Sequence, residues 1–120
     1  MILAALLLLG QAMSLSPPVE WSPLPRLQLG LAAAAPAQLT DFVRREAASE
    51  RCVLPPDQRT LDLAVLVTQS GQVRRIVPRA IGCPSVEQFA AGIVLRAARD
   101  KTRPIAADTW YVTTVALTPP

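Results

Sequence analysis

A chain of 120 residues with 12 prolines and a net charge of +3 holds at most one small domain, and its mild, scattered charge gives no nucleic-acid footprint. No histidine is present, which removes the usual general base, the Ser/His and Cys/His nucleophile pairs and most zinc sites. Two Phe, two Trp and one Tyr are too few for base-stacking platforms.

One cysteine pair cannot build an all-cysteine zinc site, and no Gly-rich phosphate loop follows a strand. No enzyme activity, cofactor or metal is therefore expected. Ser49, Ser70 and Ser85 read as a helix end, a turn and a cap, and none has a base nearby in sequence.

The chain opens on MILAALLLLGQAM, an uncharged apolar block of 13 residues, followed at once by SLSPPVEWSPLPR. The block is shorter than the roughly 20 residues a helix needs to cross the hydrocarbon core. It suits the apolar region of an export signal, with small residues at Gly10 and Ala12, although no Lys or Arg precedes it. If Met13 is the start, Arg26 closes the basic region, LQLGLAAAA is the apolar one, and Ala35-Pro36-Ala37 is the processing site. A retained membrane anchor and a buried core helix are the alternatives; prolines 17, 18, 23 and 25 separate the block from any domain. Residues 1–37 are thus expected to be a targeting segment plus Pro/Ala-rich linker, and residues 38–120 the folded domain. Membrane contact would come only through the uncleaved segment.

Thr40 is a candidate N-cap for DFVRREAASERC, with Asp41 beside the positive end of the dipole, and LPPDQR stops that helix. Leu61, Leu63, Val65 and Val67 alternate with Asp62, Ala64, Leu66 and Thr68, which predicts a strand over 61–68. QSGQ is a hairpin turn with Gly71 free to take positive φ, and VRRIVPRAI returns as a second strand. Pro78 has no N–H, so this strand belongs at a sheet edge or a bulge, and 61–68 belongs at the centre. Ser85 with Gln88 three residues on has capping-box spacing. The helix after it puts Val86, Phe89, Ala90, Ile93, Val94 and Ala97 on one face, with Gly92 read as a close approach to the sheet. TWYVTTVAL is the last strand. The expected fold is α+β: a three-stranded antiparallel sheet packed against one amphipathic helix, with a shorter helix in front.

Cys52 and Cys83 lack the spacing of a CxxC redox site. An even count, a small core and an export signal predict a structural disulfide between them, and with it an oxidising compartment. For Arg74, Arg75 and Arg79 two readings stand: a solvated face, or contact with an anionic partner.

The stretch LAVLVTQSGQVRRIVPRAIGCPSVEQFAAGIVLRAARDKTRPIAADTWYVTTVAL resembles the C-terminal domain of TonB, the periplasmic energy transducer of Gram-negative bacteria. Strand, Gly-containing hairpin, second strand, Cys turn, Ala- and Arg-rich helix, proline and last strand follow in the family's order. The resemblance spans about residues 61–118. The family's opening Tyr-Pro motif is absent, with DFVRREA in its place, and the chain has neither the anchor histidine nor the long linker of a full transducer. What the resemblance implies is the binding half of the job, in receptor-linked transport. The protein would sit in the periplasm, with or without an inner-membrane anchor. It would capture the extended TonB box of an outer-membrane receptor by β-strand addition along its last strand. The matching residues are Trp110, Tyr111, Val112, Thr113, Thr114, Val115, Ala116 and Leu117. The same edge could instead pair two copies into a homodimer. Those residues also have a plain role, with Trp110, Val112, Thr114 and Ala116 filling one sheet face and Tyr111, Thr113, Val115 and Leu117 the other. A small exported structural or inhibitory protein acting on another envelope partner is the alternative function.

Overall fold

The structure is a computed structural model that describes residues 16–119. The apolar block at residues 1–13, and with it the first export-signal reading, lies outside the described residues. The fold is α+β, in the order α1 (Ala37–Ala48), β1 (Thr60–Val67), β2 (Val73–Pro78), α2 (Pro84–Ala98) and β3 (Thr109–Ala116). The sheet is antiparallel with order β2-β1-β3. The apolar, proline-free run is thus the central strand, and Pro78 lies on an edge, as its missing donor requires.

Alternation along β1 separates two packed faces. Leu61, Leu63, Val65 and Val67 point to the helices, where they meet Leu39 of α1 and Val86, Ala90, Ile93 and Val94 of α2. Val115 and Leu117 complete that core. Ala64, Leu66 and Trp110 are buried on the opposite face, with Val77 of β2 beside them and Trp21 and Leu24 packed against them. Stacked rings of Phe42 and Phe89, 4.4 Å between centroids, join the two helices.

Both helices begin earlier than predicted. Thr40 does not cap α1: Pro36 occupies the N-cap, and the Thr40 hydroxyl donates to the Ala37 carbonyl inside the first turn. Ser85 does not cap α2 either. Cys83 is the N-cap and Pro84 takes the first helical position, where its fixed φ fits and its missing N–H costs nothing. Glu87, not Gln88, makes the reciprocal contact, its Oε2 accepting from the N–H groups of Ile81 (3.0 Å) and Cys83 (3.1 Å).

α1 ends before the proline pair, in a Schellman turn. Glu50 N–H donates to Ala47 O and Arg51 N–H to Glu46 O, with Glu50 at φ 59. A side chain in that left-handed position is strained, so Glu50→Gly is expected to stabilise the fold by about 0.5–1 kcal/mol in urea unfolding. A destabilised variant would mean that the Glu50 side chain has a role its geometry does not reveal.

Gly92 is not a close approach to the sheet. A Cβ there would meet only the Arg96 Nη1, at 3.9 Å.

Residues 21–31, which the sequence placed in the linker, pack on the sheet. Trp21 covers the back face, with the Arg79 guanidinium 4.1 Å from its ring centroid. Leu29 is buried in the helix-side core, with Leu27 and Leu31 packed against it. The run RLQLGL carries the period-2 signal of an extended, one-side-buried segment. That burial sets the folded role of LQLGLAAAA beside its reading as the apolar region of a signal.

Candidate functional site: the outer edge of β3

The candidate residues 110–117 form one strand, as predicted, and its register on β1 decides which of its backbone groups face outward. Thr60 pairs with Ala116 and Val67 with Thr109 without interruption. Leu117 N–H donates to Arg59 O at 2.9 Å, so odd-numbered residues of β3 turn their amides to β1. Even-numbered residues turn theirs outward. Thr113 and Val115 therefore cannot donate to an added strand. Trp110, Val112, Thr114 and Ala116 are the residues whose amides face that way.

Val112 and Ala116 are engaged by the chain itself. Val112 N–H donates to Pro25 O at 3.0 Å, and Val112 O accepts from Leu27 N–H at 2.9 Å. This is a parallel bridge centred on Arg26. Further along, Ala116 N–H donates to Leu31 O at 2.9 Å. The edge expected to take an added strand is thus paired in part by the chain itself. A β3-to-β3 homodimer would need the same groups. Covering a long apolar edge also blunts its tendency to aggregate.

The covering segment does not follow the strand throughout. Six steps of chain, from 25 to 31, run beside four steps of β3, from 112 to 116. The surplus carries Leu29 into the core, and Gly30 at φ 75 turns the chain back. Over this detour lies Thr114. Its hydroxyl donates to Asp62 Oδ1 (2.6 Å) and accepts from Arg26 Nη2 (2.7 Å). Thr113, on the other face, donates its hydroxyl to Leu27 O at 2.9 Å. Side chains therefore hold the segment where its main chain leaves the ladder.

The predicted cysteine pair, Cys52 and Cys83, is joined in a disulfide with Cα atoms 5.8 Å apart. It ties the chain after α1 to the N-cap of α2. A disulfide persists in oxidising, non-cytosolic compartments. No helix among the described residues is long and apolar enough to cross a membrane. No group of three or more His, Cys, Asp or Glu that could hold a metal lies among them either.

What the sequence did not reveal was residues 25–31 as part of this edge. The alternation of Leu27, Leu29 and Leu31 was the available signal. No family model, no curated protein and no solved structure matches the chain.

Proposed function

We propose that the protein is a TonB-like binding module of the Gram-negative periplasm, without catalysis, that takes an extended segment of an outer-membrane receptor along β3. The observation supporting this is the pairing of residues 25–31 with Val112 and Ala116. An extended chain already satisfies two residues of this edge, Val112 and Ala116, through its main chain, which is the chemistry of strand addition. A receptor segment displaces residues 25–31 and takes the same donors and acceptors. The oxidising compartment implied by the disulfide is the one such receptors face.

Thr114 is the position to test, because its amide faces outward and no main-chain bond to β1 uses it. Thr114→Val, which loses the hydroxyl bonds to Asp62 and Arg26 but keeps the amide, is the reference. Fluorescent TonB-box peptides titrated against the wild type are expected to bind, and Thr114→Pro to weaken binding at least about tenfold by deleting one ladder donor. Circular dichroism checks that the variant folds. Equal binding by the folded variant, or no binding at all, sinks the receptor reading. The occupied edge would then favour the alternative, a small exported structural or inhibitory protein whose sheet serves another envelope partner.

A further inference from the structure

Among the described residues the opposite edge of the sheet is open. There β2 pairs only with β1, and Arg79 N–H donates to Asp62 O. Arg75, Val77 and Arg79 thus turn their backbone groups inward, and Ile76 turns its N–H and C=O outward. Pro78 adds a carbonyl on that side. Among the described residues no backbone group pairs with these outward groups.

Beside this edge lies a groove of about 430 Å³ between β2 and α2. Arg74, Arg75 and Ile76 line one wall, and Ala91, Gly92 and Leu95 the other. The remaining lining residues are Val73 and Gln88, so no acid among the described residues lines it. Arg74 and Arg75 are exposed and form no ion pair among the described residues. Arg96 brings a third guanidinium over Gly92. Leu95 is 36% exposed, an apolar side chain standing at the groove wall.

Gly92 makes sense in this setting. A helix-interior glycine costs up to about 1 kcal/mol against alanine. Here neither a positive φ nor a packed neighbour requires it. Its effect is to leave one wall of the groove open.

We propose that this edge and groove bind an extended acidic segment of a partner protein. The segment pairs its main chain with Ile76, and its side chains alternate between the two faces. Ile76 lies opposite Val65 on the helix side, and Arg75 lies opposite Leu66 on the other. An added strand therefore sends alternate residues over Leu95 and Gly92, and the intervening ones to Arg75. Apolar residues suit the first set and carboxylates the second, while Arg74 and Arg96 extend the positive field along the groove. This site lies on the edge opposite β3 and stands or falls separately from the receptor reading.

The test uses the full chain, ¹⁵N-labelled, titrated with two capped heptapeptides, one alternating valine with glutamate and the other valine with lysine. The glutamate peptide is expected to shift the Ile76 and Gly92 amides and to bind at least about tenfold more tightly than the lysine one. A Cβ at Gly92 meets nothing closer than Arg96 Nη1 at 3.9 Å, so Gly92→Leu should keep the fold while lowering that affinity about tenfold. Arg75→Glu, at an exposed position, should reverse the preference between the peptides. Equal affinity for both peptides, unchanged binding by folded Gly92→Leu, or shifts at Val112 in place of Ile76 would overturn the proposal. Self-association that Gly92→Leu abolishes would assign the groove to a second copy of the chain, and would equally overturn it.

Discussion

Reducing the Cys52–Cys83 disulfide is expected to lower the melting temperature by roughly 15–25 °C. The bond spans 31 residues, and closing a loop of that length removes about 3–4 kcal/mol of unfolded-chain entropy at 25 °C. In a domain of this size each kcal/mol moves the midpoint by about 4–8 °C. The bond also has a local role. Cys83 is fully buried and is the N-cap of α2, while Cys52 follows the Schellman turn that ends α1. Losing it frees both helix ends at once. Calorimetry with and without reductant measures the effect, and a Cys52→Ser/Cys83→Ser double variant gives the same comparison without reagent. A shift of less than about 5 °C would show that the unfolded chain is already restricted, or that the helices hold their ends without the bond.

The second large effect is at Gly71, where an alanine is expected to cost about 3–4 kcal/mol. Gly71 closes the β1–β2 hairpin at φ 89, its N–H donating to Thr68 O. A Cβ would lie 2.5 Å from the Arg103 carbonyl carbon and 2.7 Å from the Pro104 nitrogen. Both are backbone atoms that cannot swing aside. The hairpin is pinned against that loop by three further contacts. Thr102 donates its hydroxyl to Gly71 O, Ile105 N–H donates to Gln69 O, and Asp108 Oδ1 accepts from Gln69 N–H. Relieving the clash breaks these bonds and shifts the start of β3. Gly82 separates strain from clash: its φ is 81, but nothing lies within 4 Å of a Cβ there. Gly82→Ala is expected to cost only about 1–2 kcal/mol. Urea unfolding of both variants decides the point, and equal losses would mean that the contact with Arg103 and Pro104 is soft.

The strands and α2 were legible in the sequence because their burial is periodic. Alternation in LDLAVLVT and the apolar stripe through Val86, Ala90, Ile93 and Val94 each match an element whose face is set by the core. The lone proline in VRRIVPRAI placed β2 at an edge for a reason the register bears out, since Pro78 is among the residues that face away from β1. Helix starts were less legible. Pro84 and Glu87 outcompeted the spacing of Ser85 and Gln88, and Thr40 satisfied its hydroxyl inside the helix.

The state of the β3 edge was the largest gap. Prolines around RLQLGL read as linker, yet an extended segment beside an edge strand tolerates proline, since it need not donate at every position. Gly92 was misplaced for a different reason: periodicity locates a residue on a helix face but does not say whether that face meets the sheet or a groove.

The central claim is that β3 accepts an extended receptor segment in place of residues 25–31. The most direct measurement is an NMR study of the labelled full chain with an unlabelled TonB-box peptide, following contacts between peptide protons and the amides of Val112, Thr114 and Ala116. Cross-strand contacts to these three residues are expected, together with loss of exchange protection at Leu27, whose N–H is released from Val112 O. A peptide that binds while Leu27 stays protected, or that makes its contacts at Ile76, would contradict the claim.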